Sequence, residues 1–125
     1  MLTVAEINAY LRTIPNLGGL TFVGNDFQTS SPDDCAYVRI TGGYAPSEWT
    51  PKAQPSFQIV LRTKLASAAE PKANAIYADL HRKAEFMLGN TRVVKCLADQ
   101  SAPLYLGKDE NGRTLYSLNF TVTTI

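Results

Sequence analysis

Few residues in this sequence of 125 have the types and spacing that catalysis or metal binding requires. The single histidine, His81, excludes any site built on two histidine ligands. No G-x-S-x-G, P-loop or G-x-G-x-x-G motif occurs. His81 falls beside the apolar stripe of a predicted helix, where a partly exposed surface histidine is expected rather than a general base. The sequence therefore predicts no enzyme, with no catalytic residue, no metal site and no cofactor.

The acidic pairs and the two cysteines have simple structural interpretations. Asp33 and Asp34 are adjacent in a turn-forming segment, so their carboxylates are expected to point apart and remain solvated. Residues 109–112 lack the alternating ligands of a calcium loop and are predicted to form a hairpin turn. Cys35 and Cys96 show no CxxC spacing, so we expect two free thiols in the core rather than a disulfide.

Composition and charge indicate one ordinary globular domain over residues 1–125. Apolar residues make up 45% of the chain and charged residues 18%, which excludes a chain that is disordered throughout. The formal net charge of +1 gives no strong field that would attract polyanions or a membrane surface. No basic and apolar leader is recognisable, and no apolar run approaches the roughly 20 residues of a membrane-spanning helix. We therefore expect a protein that is made in the cytoplasm and has no membrane partner.

Hydrophobic periodicity predicts two amphipathic helices. Thr3 and Glu6 have the spacing of a capping box, which starts a first helix over about residues 3–14. Pro71 suits the first position of a helix, so the second helix is predicted over about residues 70–88. A Gly-Asn pair directly after this range is a typical helix stop.

Segments rich in β-branched and aromatic residues predict the strands. They cover residues 20–23, 35–40, 57–64, 92–98, 104–106 and 113–123. The last of them alternates most regularly, with apolar side chains at positions 116, 118, 120 and 122. The order of elements predicts an α+β fold, with a mostly antiparallel sheet of about five or six strands and two helices packed on one face.

A long loop over about residues 41–55 carries the side chains best suited to partner contact. Its glycines and prolines disfavour regular structure, and it contains Tyr44 and Trp49. A tryptophan here is expected either to fold back as a lid on the core or to contact a partner. Phe86 falls opposite the apolar stripe of the second helix, which predicts either a subunit contact or a frayed last turn that wraps it inward. We take Tyr44, Trp49 and Phe86 as candidate interface residues.

Four motifs between residues 57 and 123 carry a resemblance to a known family. They are Phe57-Gln58-Ile59 with Arg62, Ala75-Ile76-Tyr77 with Leu80-His81, Pro103 with Leu106-Gly107-Lys108-Asp109 and Gly112-Arg113, and Tyr116 with Asn119-Phe120. In these motifs the chain resembles the tailed-phage minor capsid and tail-terminator proteins. The motifs are structural rather than chemical, and the first helix agrees in place.

The resemblance implies a virion protein that assembles, commonly as six copies, into a ring at the head-proximal end of a long tail. Such a ring ends growth of the tail tube and joins the tail to the head. The implied partners are further copies of the chain, the tail-tube protein and a head-completion or neck protein, with DNA only passing through the ring and assembly in the host cytoplasm. Two alternatives stay open: a head-closure role as a minor capsid protein, and a small nucleic-acid-binding module that uses Arg62, Lys64, Arg92 and Lys95.

Overall fold

The computed structural model describes residues 1–125 as two helices and seven strands. The helices are α1 (Val4–Leu11) and α2 (Ala66–Leu80). The strands are β1 (Thr21–Gly24), β2 (Cys35–Tyr44), β3 (Gln54–Thr63), β4 (Ala84–Leu88), β5 (Thr91–Ala98), β6 (Leu104–Lys108) and β7 (Thr114–Thr124). The predicted α+β class agrees with this set of elements.

The strands form one mixed sheet in the order β1-β2-β3-β7-β5-β4, with β6 also paired to β7. β1 runs parallel to β2, and the other pairs are antiparallel. The expected mostly antiparallel sheet of five or six strands is thus corrected to a mixed sheet of seven. The segment between β1 and β2 returns the chain to the same end of the sheet, which a parallel pair requires. Arg39 on β2 connects to the start of this crossover, because its Nε and Nη2 donate hydrogen bonds to the Asn25 carbonyl oxygen at 3.2 and 2.8 Å.

One hydrophobic cluster contains residues of both helices and of the sheet. The helices contribute Ile7, Leu11, Ala69, Ala73, Ile76 and Leu80. On neighbouring strands, the rings of Phe57 and Phe120 stack with their centroids 5.5 Å apart. The apolar alternation predicted for the last strand is confirmed, since Leu118, Phe120 and Val122 are fully buried. Each such side chain contributes roughly 1.5–3 kcal/mol of burial free energy before its loss of entropy.

The predicted capping box at the start of α1 is confirmed. The Thr3 hydroxyl accepts from the Glu6 amide at 3.2 Å, and the Glu6 carboxylate accepts from the Thr3 amide at 3.1 Å. The same carboxylate accepts from the Asn90 amide at 2.7 Å and from the Thr91 hydroxyl, so it ties α1 to the turn between β4 and β5. Partial desolvation opposes ionisation, but these hydrogen bonds outweigh it and lower the pKa of Glu6. Gly89 leaves space for this contact, because a Cβ there would lie 2.6 Å from the Glu6 Cγ.

The second helix differs from its predicted range of 70–88. It covers Ala66–Leu80, with Pro71 inside its second turn rather than at its start. The helical path ends at His81, which has an extended backbone conformation with φ −67° and ψ 126°, and Arg82 follows with a positive φ of 66°. Residues 84–88 then form β4, and the Gly-Asn pair that was expected to stop the helix is the turn of the β4–β5 hairpin. The apolar spacing of this segment suited both a helix and a strand, and pairing with β5 decides between them.

β7 pairs with β3 along one edge, whereas its other edge is shared by two strands. β6 covers residues 114–117 of β7, and β5 covers residues 120–124. Gln100 lies at the junction, where its Nε2 donates to the Ser117 carbonyl oxygen at 3.0 Å. Its Oε1 accepts from both the backbone amide and the Nδ2 of Asn119 at 2.9 Å. The Gln100 side chain therefore replaces the strand partner that β7 lacks at this point.

The change Gln100→Ala tests this role. We expect it to lower the free energy of unfolding by about 1–3 kcal/mol, because partly buried backbone groups of β7 lose their hydrogen-bond partner. Urea unfolding followed by circular dichroism measures the change. The matched control is Gln28→Ala, whose exposed side chain makes no hydrogen bond and whose removal should cost less than about 0.5 kcal/mol. Equal stability of the two variants would contradict the role of Gln100.

Candidate functional site

The arm, residues 45–53, connects β2 to β3 and is shorter than the predicted loop over residues 41–55. β2 continues through Tyr44 and β3 begins at Gln54, so both ends of the predicted loop are strand. Glycine makes this extension feasible rather than preventing it, because Gly43 pairs within the ladder at a φ of 104°. A Cβ at Gly43 would collide with the carbonyl oxygen of Gln54.

Local hydrogen bonds give the arm a defined shape. The Ser47 hydroxyl accepts from the amides of Trp49 and Thr50 at 3.2 Å, and the Ser47 amide donates to the Lys52 carbonyl oxygen at 3.3 Å. At the base of the arm, Ala53 and Thr124 exchange two backbone hydrogen bonds of 3.0 and 2.8 Å. The arm is thus an ordered turn that is fastened to the end of β7.

The aromatic side chains at the arm are open to solvent. Trp49 is 90% exposed and Tyr44 is 71% exposed, and neither belongs to the hydrophobic cluster. The alternative in which Trp49 covers the core as a lid is therefore wrong for this structure. A groove of about 380 Å³ lies at the arm base, where Leu2, Ile40 and Pro55 line it together with Tyr44. Trp49 on the arm and Tyr44 at its base thus lie close in sequence to an apolar recess, and we count Tyr44 with the arm surface.

A second apolar surface lies on β6 and was missed by the sequence reasoning. We call Leu104, Tyr105 and Leu106 the β6 patch; they are 55%, 54% and 49% exposed. β6 pairs only with β7, so its outer edge has no partner strand. The available signal was an apolar triplet without alternation, because three consecutive apolar residues in a strand cannot all face one core. An edge strand of this kind is suited to contact with another chain.

Phe86 lies on β4 and not on a helix face. Its side chain is half-buried, packs against the hydrophobic cluster and lies 5.5 Å from the Tyr10 ring, centroid to centroid. Its position on a helix is thus corrected, because the segment pairs with β5. Met87, the next residue, is 52% exposed. A subunit contact through Phe86 stays a prediction, and its strand is an edge of the sheet.

The titratable residues considered for chemistry stabilise local structure. His81 follows the last residue of α2, where its Nδ1 accepts from the Ala98 amide at 3.1 Å and its ring lies 5.1 Å from that of Tyr77. Asp34 is not a free turn carboxylate, because it accepts from the Lys64 amide at 2.9 Å. This backbone hydrogen bond is the main cause that lowers the pKa of Asp34, despite an opposing effect of burial. Neither residue has the geometry of a reacting group.

The hairpin turn and the free thiols agree with the predictions. Asp109 accepts from the amides of Asn111 and Arg113 at 2.9 Å, which closes the turn between β6 and β7. These and the Arg113 guanidinium outweigh desolvation and lower the pKa of Asp109. Cys35 and Cys96 are buried and unbonded to each other. Burial, with Asp99 and Asp79 nearby, raises the pKa of Cys96 to about 12.

The four basic residues of the nucleic-acid alternative do not form one open surface. Arg62 is only 5% exposed, and Arg92 pairs with Glu85 at 2.7 Å. Lys64 and Lys95 are exposed at the end of β3 and on β5. No group of three or more His, Cys, Asp or Glu side chains is placed to hold a metal ion. Neither helix has the length and apolar character that a membrane span needs.

Comparison with known proteins shows the family to which this chain belongs. The family model of the bacteriophage tail terminator protein matches residues 9–124, nearly the whole chain. The chain belongs to the bacteriophage tail terminator family. This confirms the resemblance seen over residues 57–123 and extends it toward the N-terminus as far as residue 9, which includes the arm and the last turn of α1. Membership of the tail terminator family makes the chain a structural protein of a phage virion.

A solved structure shows the same fold as this tail terminator family member. It is a chain from the "Virion of native gene transfer agent (GTA) particle", with a TM-score of 0.65 and 16% sequence identity. The similarity covers 99% of this chain and 98% of that chain. No curated protein sequence matches the chain. The architecture of this family member is therefore also found in another virion.

The exposure of Trp49 gives a direct test of the site. We expect Trp49→Ala to change the free energy of unfolding by less than about 0.5 kcal/mol, because the indole has no contact with the core. The comparison variant is Phe57→Ala, which removes a buried ring and should cost about 3–5 kcal/mol. Urea unfolding of the free chain measures both. A loss above about 1 kcal/mol for Trp49→Ala would show that the indole stabilises the monomer.

Proposed function

We propose that this chain forms a ring, commonly of six copies, which caps the head-proximal end of a phage tail. The ring ends growth of the tail tube and joins the tail to the head. The observation that carries the proposal is the presence of two separate apolar surfaces, the arm and the β6 patch, on a chain of the tail terminator family. A self-contained monomer does not usually leave such surfaces open.

The two surfaces lie toward opposite ends of the central strands. The arm base joins β3 at Gln54, whereas β6 pairs with the part of β7 that faces residues 60–63 of β3. Ten residues of strand extend over about 30 Å. The β6 patch is therefore available for contacts between copies while the arm contacts another protein. A contact between β6 of one copy and β4 of the next uses different surfaces on the two partners, and such heterologous contacts generate closed rings when the rotation closes.

The β6 patch and the edge strand β4 are proposed as the contacts between ring subunits. Both strands have a free outer edge, and both carry exposed apolar side chains, including Met87 beside Phe86. Unpaired edge groups are satisfied when another chain covers them. Burying the β6 patch also removes apolar surface from water, which is the main favourable contribution to association.

The arm is proposed as the contact with the tail-tube protein or with the head-completion protein. Tyr44 and Trp49 are the residue types that most often dominate binding energy at protein interfaces. Local hydrogen bonds already order the arm, so little conformational entropy is lost when a partner binds it.

Capping requires no covalent chemistry. A ring that occupies the exposed end of the tube covers the surface to which the next tube ring would add. Its other face then presents a different surface to the head-completion protein, and DNA passes through the ring.

The test is complementation of a phage that lacks the gene for this chain. Without the chain we expect tails of abnormal, extended length that are not joined to heads. Trp49→Ala should fail to restore joined tails, because the arm loses its largest contact, whereas Trp49→Phe keeps an aromatic ring and should restore them in part. Negative-stain micrographs give tail length and the fraction of tails joined to heads.

The control variant is Leu65→Ala, which removes a side chain that is 67% exposed but lies outside both surfaces and should complement fully. Tails of normal length that are not joined to heads would contradict termination and favour the head-closure role. Normal tails joined to full heads in the absence of the chain would contradict the whole proposal.

A further inference from the structure

Arg62 is a buried cation without a counter-charge. Its residue is 5% exposed, and its guanidinium carbon lies 4.1 Å from the centroid of the Phe27 ring. Its Nη2 donates to the carbonyl oxygens of Ser31 and Pro32 at 3.3 and 3.0 Å. Its Nε is buried without a hydrogen-bond partner, and its Nη1 makes no hydrogen bond within the chain.

This arrangement is costly unless something else compensates the charge. No carboxylate of the chain lies within 4.0 Å of Arg62, although three other basic side chains form such ion pairs. Removing a guanidinium from water without an ionic partner carries a large desolvation penalty. The aromatic face and the two carbonyl groups offset part of the penalty and leave the positive charge uncancelled.

A cavity of about 350 Å³ lies against this cation. Its lining includes Arg62, Arg113, Asn111 and Gln28, and Phe27 is its only apolar member. Arg113 donates from Nε to Asp109 at 2.7 Å and from Nη1 to Asp33 at 3.4 Å. Its Nη2 makes no hydrogen bond within the chain. Two guanidinium groups and two amide side chains thus surround one polar cavity.

We propose that this cavity binds an oxyanion, a carboxylate or a phosphate group, through Arg62 and Arg113. Guanidinium groups match the geometry of both anions and bind them with charge-assisted hydrogen bonds. The cavity lies at the opposite end of β3 from the arm, because Arg62 is the ninth residue of this strand, and the proposal does not depend on ring formation.

The carboxylates around the cavity set how strongly the anion binds. Asp109 and Asp33 both pair with Arg113, so that Arg62 supplies the charge that is not cancelled. Asp33 has a side chain that is 55% exposed and makes only the 3.4 Å contact, so its charge opposes an incoming anion and contributes little to stability. Removal of this charge should therefore strengthen binding.

The first experiment follows the Arg62 Nε–H signal by NMR during titration of the free chain with inorganic phosphate or with acetate at constant ionic strength. We expect a saturable shift at Arg62 with at least one of the two anions. Tighter binding of phosphate assigns a phosphate ligand, and tighter binding of acetate assigns a carboxylate such as an acidic side chain. The absence of a saturable shift with both anions overturns the proposal.

A pair of variants tests the location of the site without disturbing Arg62. Asp33→Asn should lower the dissociation constant of the preferred anion by roughly 3- to 10-fold. Glu48→Gln removes the same charge from the arm, far from the cavity, and should leave the dissociation constant unchanged. An equal effect of the two variants would show that only net charge matters and would overturn the proposed site.

Discussion

The shared edge of β7 is the constraint on which the rest of the structure depends. β3 pairs with one edge of β7 over eight positions, whereas β6 and β5 divide the other edge between them. Gln100 supplies the missing hydrogen bonds where one strand ends and the next begins. Because β5 and β4 continue the sheet from one half of β7 only, no strand of the chain covers β6. The exposure of the β6 patch thus follows from the way in which β5 and β6 share one edge of β7.

At the other end of the sheet, a glycine and one backbone bridge determine where the arm lies. The β2–β3 ladder continues through Gly43, where the lack of a Cβ lets two backbones come close, and then closes on Ala53 and Thr124. The ladder holds Trp49 in solvent at a fixed place relative to the core. The sheet therefore separates two exposed apolar surfaces, and the proposed contacts with different partners use this separation.

Sequence reasoning succeeded where local chemistry decides the structure. The capping box of Thr3 and Glu6, the hairpin turn at Asp109 and the alternation around Phe120 depend on neighbours along the chain, and the structure confirms them. The family was also recognisable from short motifs between residues 57 and 123, because the residues of these motifs include core residues of the second half of the chain.

Long-range pairing explains what was missed. The parallel pairing of β1 depends on a crossover held by Arg39, and β4 was mistaken for helix because its apolar spacing suits either element. The exposure of Tyr105 depends on which half of β7 is already occupied, and the isolation of Arg62 depends on a loop folded over it. No spacing along the chain carries this information.

Electron cryo-microscopy of the tail and neck of intact particles tests the central claim most directly. The account predicts a closed ring of this chain at the head-proximal end of the tail tube, with Trp49 buried against a partner and the β6 patch buried between subunits. A map that places single copies elsewhere in the particle, or a ring in which both surfaces stay in solvent, would contradict it.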